Sequence, residues 1–313
     1  MITKASHPAP LPFSFERAPV PALVEALVPG GPLGFLSEMV KGDNLWDLGF
    51  RGSRVDIYRG RAVVLQLEAD DEGNIAISVE APKFRKLGFD SSWNVARPAA
   101  ELEGAIPGIR NYLKTVAPVV PASFTSGEAL YHGALTHHRL PSTPGVIVVD
   151  REAALTSGGK GVDRDPTLKR PRQSYDRVAG DSIGKDADAL AVSEDGSTLF
   201  VVEVKSDAKS IDKAVAQVSW YAALFRWWVG ADVEAASKTI EQLAVARRAL
   251  GLAPQLTGTV NIETVVPVIA YQRSGGAPSP SALAEASRRL TGALGHDGSS
   301  PLLWELDNRT TRV

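Results

Sequence analysis

The sequence predicts a mixed α/β fold, and two patterns along the chain support that prediction. From Leu45 to about Ala81, apolar residues alternate with a period of two, which is typical of antiparallel strands. From about residue 128 onward, short apolar runs are separated by longer segments with helical periodicity. We therefore expect a β-rich N-terminal module, followed by a part in which strands and helices share one domain.

The N-terminal part is expected to contain one short helix and a meander. A proline-rich lead-in over residues 1–34 holds the helix, at about Pro21–Val28. The turn sequences Arg59-Gly60 and 70–74 separate the apolar-alternating runs, so we predict antiparallel neighbours joined by hairpins. The strands are predicted at Arg54–Tyr58, Ala62–Leu67 and Ile75–Val79.

The C-terminal part is expected to alternate between strands and helices. Residues 156–186 are polar and basic without periodicity, and we expect a loop there. The other predicted elements, in chain order, are a helix at Glu128–His138, a strand at Gly145–Val149, a hairpin at about Ala187–Lys205, helices at about Ser210–Val229 and Val233–Leu250, a strand at about Thr259–Tyr271, and a final helix followed by a strand at Leu302–Leu306.

The segment from Thr115 to Gly127 contains two prolines and several small residues, which favours a domain boundary. We accordingly predict a lead-in at 1–34, a β-rich module at 35–120 and a second domain at 121–273. Residues 274–313 then form a C-terminal linker, a helix and a short strand.

Composition excludes several classes of function. The 313 residues include 34 Lys and Arg against 36 Asp and Glu, so nucleic acid would have to be bound by a local basic patch. The absence of cysteine excludes disulfides, thiolate catalysis and cysteine-based zinc sites. No apolar run approaches the roughly 18 residues of a membrane span, and we expect a cytoplasmic protein without membrane association.

The predicted hairpin brings two acidic residues together. If Asp195-Gly196 forms a two-residue type I′ turn, counting back along both strands places Asp188 opposite Glu203. Lys205 then lies on the same sheet face as Glu203. A four-residue loop would instead set Asp186 against Glu203, so Asp186 stays an alternative partner.

Adjacent carboxylates repel each other, and a divalent cation relieves that repulsion. Oxygen ligands favour a hard ion, Mg²⁺ or Mn²⁺. A lysine beside such an ion can orient or deprotonate a water, so this cluster predicts hydrolysis of phosphodiester bonds. The competing interpretation is a set of surface ion pairs worth less than ~1 kcal/mol each.

The helix predicted after the hairpin carries a polar pair beside an apolar stripe. Gln217 and Tyr221 are one helical turn apart, and Lys213 lies one turn earlier on the same side. The stripe is suited to pack on the sheet, whereas the Gln–Tyr pair is suited to hold a phosphate or the lysine.

Asp188, Glu203-Val204-Lys205 and Gln217-x-x-x-Tyr221 together resemble the PD-(D/E)xK nuclease superfamily, in particular its RecB-like branch. The resemblance covers roughly residues 128–271 and implies a restriction-endonuclease-like core, a mixed sheet flanked by helices. It implies that Asp188 and Glu203 bind the metal, with the Val204 backbone carbonyl as a further ligand. It also implies that Lys205 is the catalytic lysine, with Gln217 and Tyr221 in the motif of the following helix.

The sequence departs from the family pattern in two places. No proline precedes the aspartate, since the chain reads Asp186-Ala187-Asp188. The additional acid that the family carries on an early helix has only Glu128 as a counterpart. His132, His137 and His138 lie on the same predicted helix without zinc-site spacing, and we expect them to be surface or partly buried residues.

A basic cluster precedes the predicted hairpin. It could hold a nucleic-acid backbone near the acids through phosphate contacts, and Lys213 could do the same from the helix. The alternative interpretation is a solvated loop. The cluster consists of Arg164, Lys169, Arg170, Arg172 and Arg177.

These observations predict a nuclease that depends on Mg²⁺ or Mn²⁺ and acts on DNA rather than RNA, in defence or repair. One alternative is a catalytically inactive nucleic-acid-binding member of the same fold. The other is an interaction protein in which the acids and lysines form a salt-bridge network. The N-terminal module could sense a ligand, a partner or a DNA feature, and a partner protein or a second copy in a homodimer could bind through it.

Overall fold

The structure is a computed structural model. It describes residues 13–125, 128–137, 145–157, 160–205, 211–272, 279–294 and 300–306. These residues form a mixed α/β fold with a four-stranded sheet, a five-stranded sheet and a small three-stranded sheet. The predicted fold class is confirmed at this level. Among the described helices, none combines the length and apolarity that a membrane crossing requires.

The four-stranded sheet is the predicted meander. Its strands are antiparallel in the order β2-β3-β4-β5, and Pro21 occupies the first turn of the predicted short helix, α1, as its fixed φ favours. The elements of this half are β1 Phe13–Ser14, α1 Pro21–Leu27, α2 Gly34–Gly42, β2 Trp46–Arg51, β3 Arg54–Arg59, β4 Ala62–Ala69, β5 Ile75–Ser78, α3 Pro82–Arg85, α4 Ile106–Val116 and α5 Ala122–Thr125.

The second half of the chain supplies the five-stranded sheet. Its elements are α6 Glu128–Thr136, β6 Val146–Ala153, β7 Thr156–Ser157, β8 Lys160–Gly161, α7 Lys169–Ala179, β9 Ala187–Ser193, β10 Thr198–Lys205, α8 Ile211–Ala231, α9 Val233–Ala249, β11 Thr264–Gln272, α10 Pro280–Leu294 and β12 Leu302–Leu306. The sheet order is β12-β11-β10-β9-β6. Strands β6, β9 and β10 are antiparallel neighbours, whereas β11 and β12 run parallel to β10.

Helices α8 and α9 lie between β10 and β11 in the chain, and α8 is buried on almost every side. It contacts the sheet on one flank and α7 and α10 on others. Aromatic pairs fix these contacts: Tyr175 of α7 lies 5.2 Å from Trp220, and Phe15 lies 5.5 Å from Phe225. Polar side chains on α8 are therefore buried unless they face a cavity.

The prediction of a loop over residues 156–186 is wrong for much of that segment, because helix α7 forms there. Leu168 and Tyr175 are buried, and Val178 lies one turn after Tyr175 on the same face. Gly180 ends the helix in the left-handed conformation, with φ +70°. The helical period was carried by a few widely spaced apolar residues among many basic ones.

The hairpin between β9 and β10 has the predicted register but a different turn. Leu199 pairs with Val192 and Val201 with Leu190, as expected. The type I′ turn is wrong, because the connection spans residues 194–197 and, in this turn, only Gly196 has positive φ, at +79°. The Asp195 carboxylate accepts from Ser197 N at 3.0 Å, and these local bonds close the longer loop without a shift of register.

The meander packs directly on the five-stranded sheet. One hydrophobic cluster includes residues of both sheets, from Phe15 to Leu290, and a second, smaller cluster contains Val148, Val202 and Trp304 of the five-stranded sheet. Buried ion pairs cross the same contact: Arg51 reaches Asp150 at 3.0 Å, and Arg151 reaches Asp47 at 3.3 Å. The domain boundaries at 35, 120 and 273 stay predictions.

Gly60, in the β3–β4 turn, is expected to tolerate no side chain. Its φ is +61°, and a Cβ atom there would lie 1.8 Å from the Phe124 carbonyl oxygen. We expect Gly60→Ala to lower the free energy of unfolding by more than about 1 kcal/mol, as measured by urea denaturation. Gly104→Ala is the matched control, because nothing lies within 4 Å of its Cβ position. Equal midpoints for the two variants would contradict this expectation.

Candidate functional site

A cavity of about 550 Å³ lies where the open end of the β9–β10 hairpin meets α6, α8 and the meander. All five residues predicted to be catalytic line it, together with the alternate acid Asp186. The lining side chains and glycine are those of Arg61, His132, Glu152, Gly184, Lys185, Asp186, Ala187, Asp188, Glu203, Lys205, Lys213, Gln217 and Tyr221.

The two acids and the lysine come from the ends of the hairpin strands. The β9–β10 ladder has its last pair at Val202 and Ala189, and the next position along the register sets Glu203 beside Asp188. There the Asp188 side chain continues the ladder, since its Oδ2 accepts from Val204 N at 2.7 Å. Lys205 Nζ donates to Glu203 Oε1 at 2.6 Å. The hairpin thus builds a rigid acidic edge with an ammonium group attached.

His132 is a site residue that the sequence analysis did not assign. Its Nε2 lies 3.4 Å from Asp188 Oδ1, and only 3% of the residue is exposed. It lies one helical turn after Glu128 on α6, which was the available indication that both face the same way. The Glu128 side chain itself lies outside the described part of the chain.

The charges around Asp188 keep it ionised. Burial alone would raise the pKa of Asp188, but the neighbouring His132 and Lys205 and the Val204 N–H outweigh it, so the pKa is lowered. This carboxylate is therefore available as a negatively charged oxygen ligand at neutral pH.

The pKa of Tyr221 is shifted upward, in contrast to that of Asp188. Burial raises the pKa of Tyr221, and the negative charges of Glu203, Asp188 and Asp186 raise it further, while the Gln217 amide acts against them. Its phenol is therefore a protonated donor at neutral pH. The influence of three carboxylates on one hydroxyl also indicates that their charges converge on this part of the cavity.

Several side chains that line the cavity have a buried polar atom that finds no hydrogen-bond partner of normal geometry within the described ranges of the chain. These atoms are Gln217 Oε1, the Tyr221 hydroxyl and His132 Nδ1. An unsatisfied buried polar group costs about 1–3 kcal/mol, so such groups call for an explanation. Gly184 leaves room for the side chains of Gln217 and Tyr221, because a Cβ atom at Gly184 would lie 2.6 Å from the Tyr221 hydroxyl. A ligand that accepts from the Tyr221 hydroxyl, together with a water that donates to Gln217 Oε1, would satisfy these two atoms.

The acids at the cavity edge are the candidate ligands for a divalent cation. Among the described residues, no group of three or more His, Asp and Glu side chains is arranged to hold a metal. Mg²⁺ does not require such a group, because it commonly binds one or two carboxylates and keeps waters and substrate phosphates as its other ligands. Asp188 and Glu203 lie side by side at the cavity edge and fit that pattern.

Cationic side chains surround the acids. Lys213 Nζ contacts Asp181 at 2.7 Å at the rim, and Lys185 and Arg61 lie on other parts of the wall. The predicted basic cluster is not part of this lining. Arg172 donates to the Ile183 carbonyl oxygen at 2.5 Å and thereby braces the segment that leads into β9. The other three helical members of the cluster are exposed on α7: Lys169, Arg170 and Arg177.

Glu152 is a second lining residue that the sequence analysis did not assign. Among the described residues other than glycine, it is the one with positive φ, at 49°. Its carboxylate accepts from the Tyr58 hydroxyl at 2.9 Å, and its carbonyl oxygen accepts from Arg17 at 2.9 Å. Contacts from the N-terminal part therefore hold a strained residue at the cavity wall.

Comparisons of the chain with protein-family models, with curated proteins and with solved structures found no match.

Proposed function

We propose that this chain is a nuclease that depends on Mg²⁺ or Mn²⁺ and hydrolyses phosphodiester bonds in nucleic acid, DNA rather than RNA. The observation that carries the proposal is the convergence of Asp188, Glu203 and Lys205 at one edge of a cavity. Gln217 and Tyr221 line the same cavity, and each has a buried polar atom that lacks a partner of normal geometry in the described part of the chain. Acids, an ammonium group and neutral donors in one place match what a phosphodiester and an attacking water require.

The architecture around the cavity supports the same proposal. The acids lie on adjacent antiparallel strands, and the following helix carries Gln217 and Tyr221 to the site. A mixed five-stranded sheet flanked by helices is what a restriction-endonuclease-like core implies. The resemblance to PD-(D/E)xK nucleases therefore extends, as a proposal, from the motif to the placement of its residues.

Within this proposal, the acidic edge holds the metal. Asp188, Glu203 and the Val204 carbonyl would bind Mg²⁺ or Mn²⁺, which supplies Lewis-acid activation and charge stabilisation when bound. His132 and the Val204 N–H keep the Asp188 carboxylate oriented and ionised. The Asp188 side chain is thus held in one rotamer before the substrate binds.

The remaining side chains act on the substrate and the water. Lys205, held by Glu203, presents a positive charge to the phosphate and orients the attacking water. The Tyr221 hydroxyl donates to a phosphate oxygen, since its raised pKa keeps it protonated. Gln217 Oε1 accepts a hydrogen bond from the water or from Lys205.

Incubation with nucleic acid tests the proposal. Linear, circular and single-stranded DNA and a matched RNA are incubated with Mg²⁺, Mn²⁺ or EDTA. We expect cleavage of DNA with either metal and none with EDTA. Retarded DNA without cleavage would favour the binding-only alternative, and the absence of both would favour the interaction protein. The product ends distinguish endonuclease from exonuclease action.

Tyr221→Phe separates activity from stability. The variant removes a buried hydroxyl for which the described residues offer no hydrogen-bond partner of normal geometry, so we expect the melting temperature to stay the same or to rise slightly. Cleavage is expected to fall about tenfold or more, because one charge-stabilising donor is lost. Calorimetry and initial rates measure the two quantities. A large loss of stability with an unchanged rate would mean that the hydroxyl serves the fold.

A further inference from the structure

The β3–β4 turn of the N-terminal meander reaches into the cavity of the proposed active site. Arg61 lies at this turn and lines the same cavity as Asp188 and Lys205. The acids come from the five-stranded sheet, so Arg61 approaches from a different sheet. The cavity is therefore a composite of the β-rich module and the rest of the chain.

The backbone at Arg61 is fixed by hydrogen bonds from three directions. Gly60 N donates to the Leu45 carbonyl at 2.6 Å, and Arg61 N donates to the Phe124 carbonyl at 2.8 Å. Arg151 of β6 donates to the Gly60 carbonyl at 3.1 Å. Such a turn presents its side chain at a defined place, which is what a binding residue requires.

The side chain also has the right chemistry for an anion with several oxygens. A guanidinium is always charged, and its planar array of donors matches a phosphate in two parallel hydrogen bonds. Arg61 is an exposed residue that lines the cavity, and Lys205 Nζ donates to Glu203 Oε1 at 2.6 Å. The two cations therefore lie in different parts of the cavity wall. Lys205 is next to the acids, and Arg61 is on the turn of the β-rich module.

We propose that Arg61 is a substrate-binding residue that contacts a phosphate of the nucleic-acid strand beside the phosphodiester to be cleaved. The β-rich module thereby forms part of the substrate site. This inference rests on the proposed nuclease function and adds to it the residue by which the meander holds the strand.

Binding measurements test the inference without cleavage. A Lys205→Ala background keeps both acids and, under the proposed function, blocks hydrolysis. In that background, Arg61→Ala, Arg61→Lys and the surface control Arg248→Ala are compared by fluorescence anisotropy with a labelled single-stranded oligonucleotide and Mg²⁺, over a series of salt concentrations. Arg248 is exposed on α9 and does not line the cavity.

We expect Arg61→Ala to weaken binding by about tenfold or more and to lower the salt slope by about 0.7. Arg61→Lys should recover part of the affinity and the slope, and Arg248→Ala should change neither. If the wild type cleaves DNA and Arg61→Ala alters neither affinity nor slope, this inference fails while the nuclease proposal stands. If the wild type neither binds nor cleaves nucleic acid, both fail. Circular dichroism checks that each variant is folded.

Discussion

Glu203→Gln is expected to lower metal-dependent DNA cleavage by about 10³-fold. The substitution keeps the shape of a residue that is 3% exposed, and it removes both the charge that is proposed to bind the metal and the anion that holds Lys205. Asp188→Asn should have a similar effect, because an amide oxygen can still accept from Val204 N but carries no charge. Initial rates over a range of Mg²⁺ concentrations measure the loss.

A second readout does not depend on turnover. A ligand that binds only the folded state raises its stability, so the wild-type melting temperature should rise with added Mg²⁺ and that of Glu203→Gln should not. Glu234→Gln, which alters an exposed acid in the first turn of α9, is the control for both measurements. Full activity in Glu203→Gln, or an identical response to Mg²⁺ in the two proteins, would show that the site has been misassigned.

The hairpin shows what local sequence can determine. Asp195-Gly196 marks a turn, and the apolar alternation on both sides allows one register that keeps Val192 and Leu199 in the core. The face shared by Asp188 and Glu203 follows from that register. The turn type could not be predicted from the same pattern, because several loop lengths are compatible with one register. The hydrogen bonds of the Asp195 side chain determine it.

Long-range placement could not be predicted in this way. Arg61 and His132 are distant in sequence from the hairpin, and the spacing of His132 from Glu128 indicates a shared helix face but not that both Arg61 and His132 line the cavity of Asp188. Glu152 depends on a strained backbone that contacts with Tyr58 and Arg17 maintain. These positions follow from tertiary packing of two sheets, which a periodic pattern in one segment does not encode.

Asp47→Asn is expected to destabilise the chain by about 3–5 kcal/mol, since it leaves buried cations without their counter-charge. Asp47 is 1% exposed and lies 3.3 Å from Arg151 Nη1 and 3.5 Å from Arg247 Nη2. At about 2–4 °C per kcal/mol, the melting temperature should fall by roughly 10 °C. Glu38→Gln is the control, because its pair with Lys41 is exposed and is worth at most about 1 kcal/mol.

The pH dependence of this effect has a definite sign. Burial alone would raise the pKa of Asp47, but Arg247, Arg151 and His137 outweigh it, and the pKa lies below the value of 3.8 for an unperturbed side chain. A depressed pKa in the folded state stabilises the protein above about pH 4, and that contribution is lost as the pH falls through the folded-state value. The difference between wild type and Asp47→Asn should therefore be complete at pH 7 and shrink below pH 4. A difference that is constant from pH 3 to pH 7 would contradict this assignment.

The same substitution tests whether the meander and the proposed active site are coupled. Arg151 contacts Asp47 and also donates to the Gly60 carbonyl, so the ion pair holds the turn that presents Arg61. If Asp47→Asn releases Arg151, binding of an oligonucleotide should weaken at temperatures where the variant is still folded, and its salt slope should approach that of Arg61→Ala. An unchanged slope at reduced stability would mean that the network supports the fold alone, because the Arg61 contact would then survive without it.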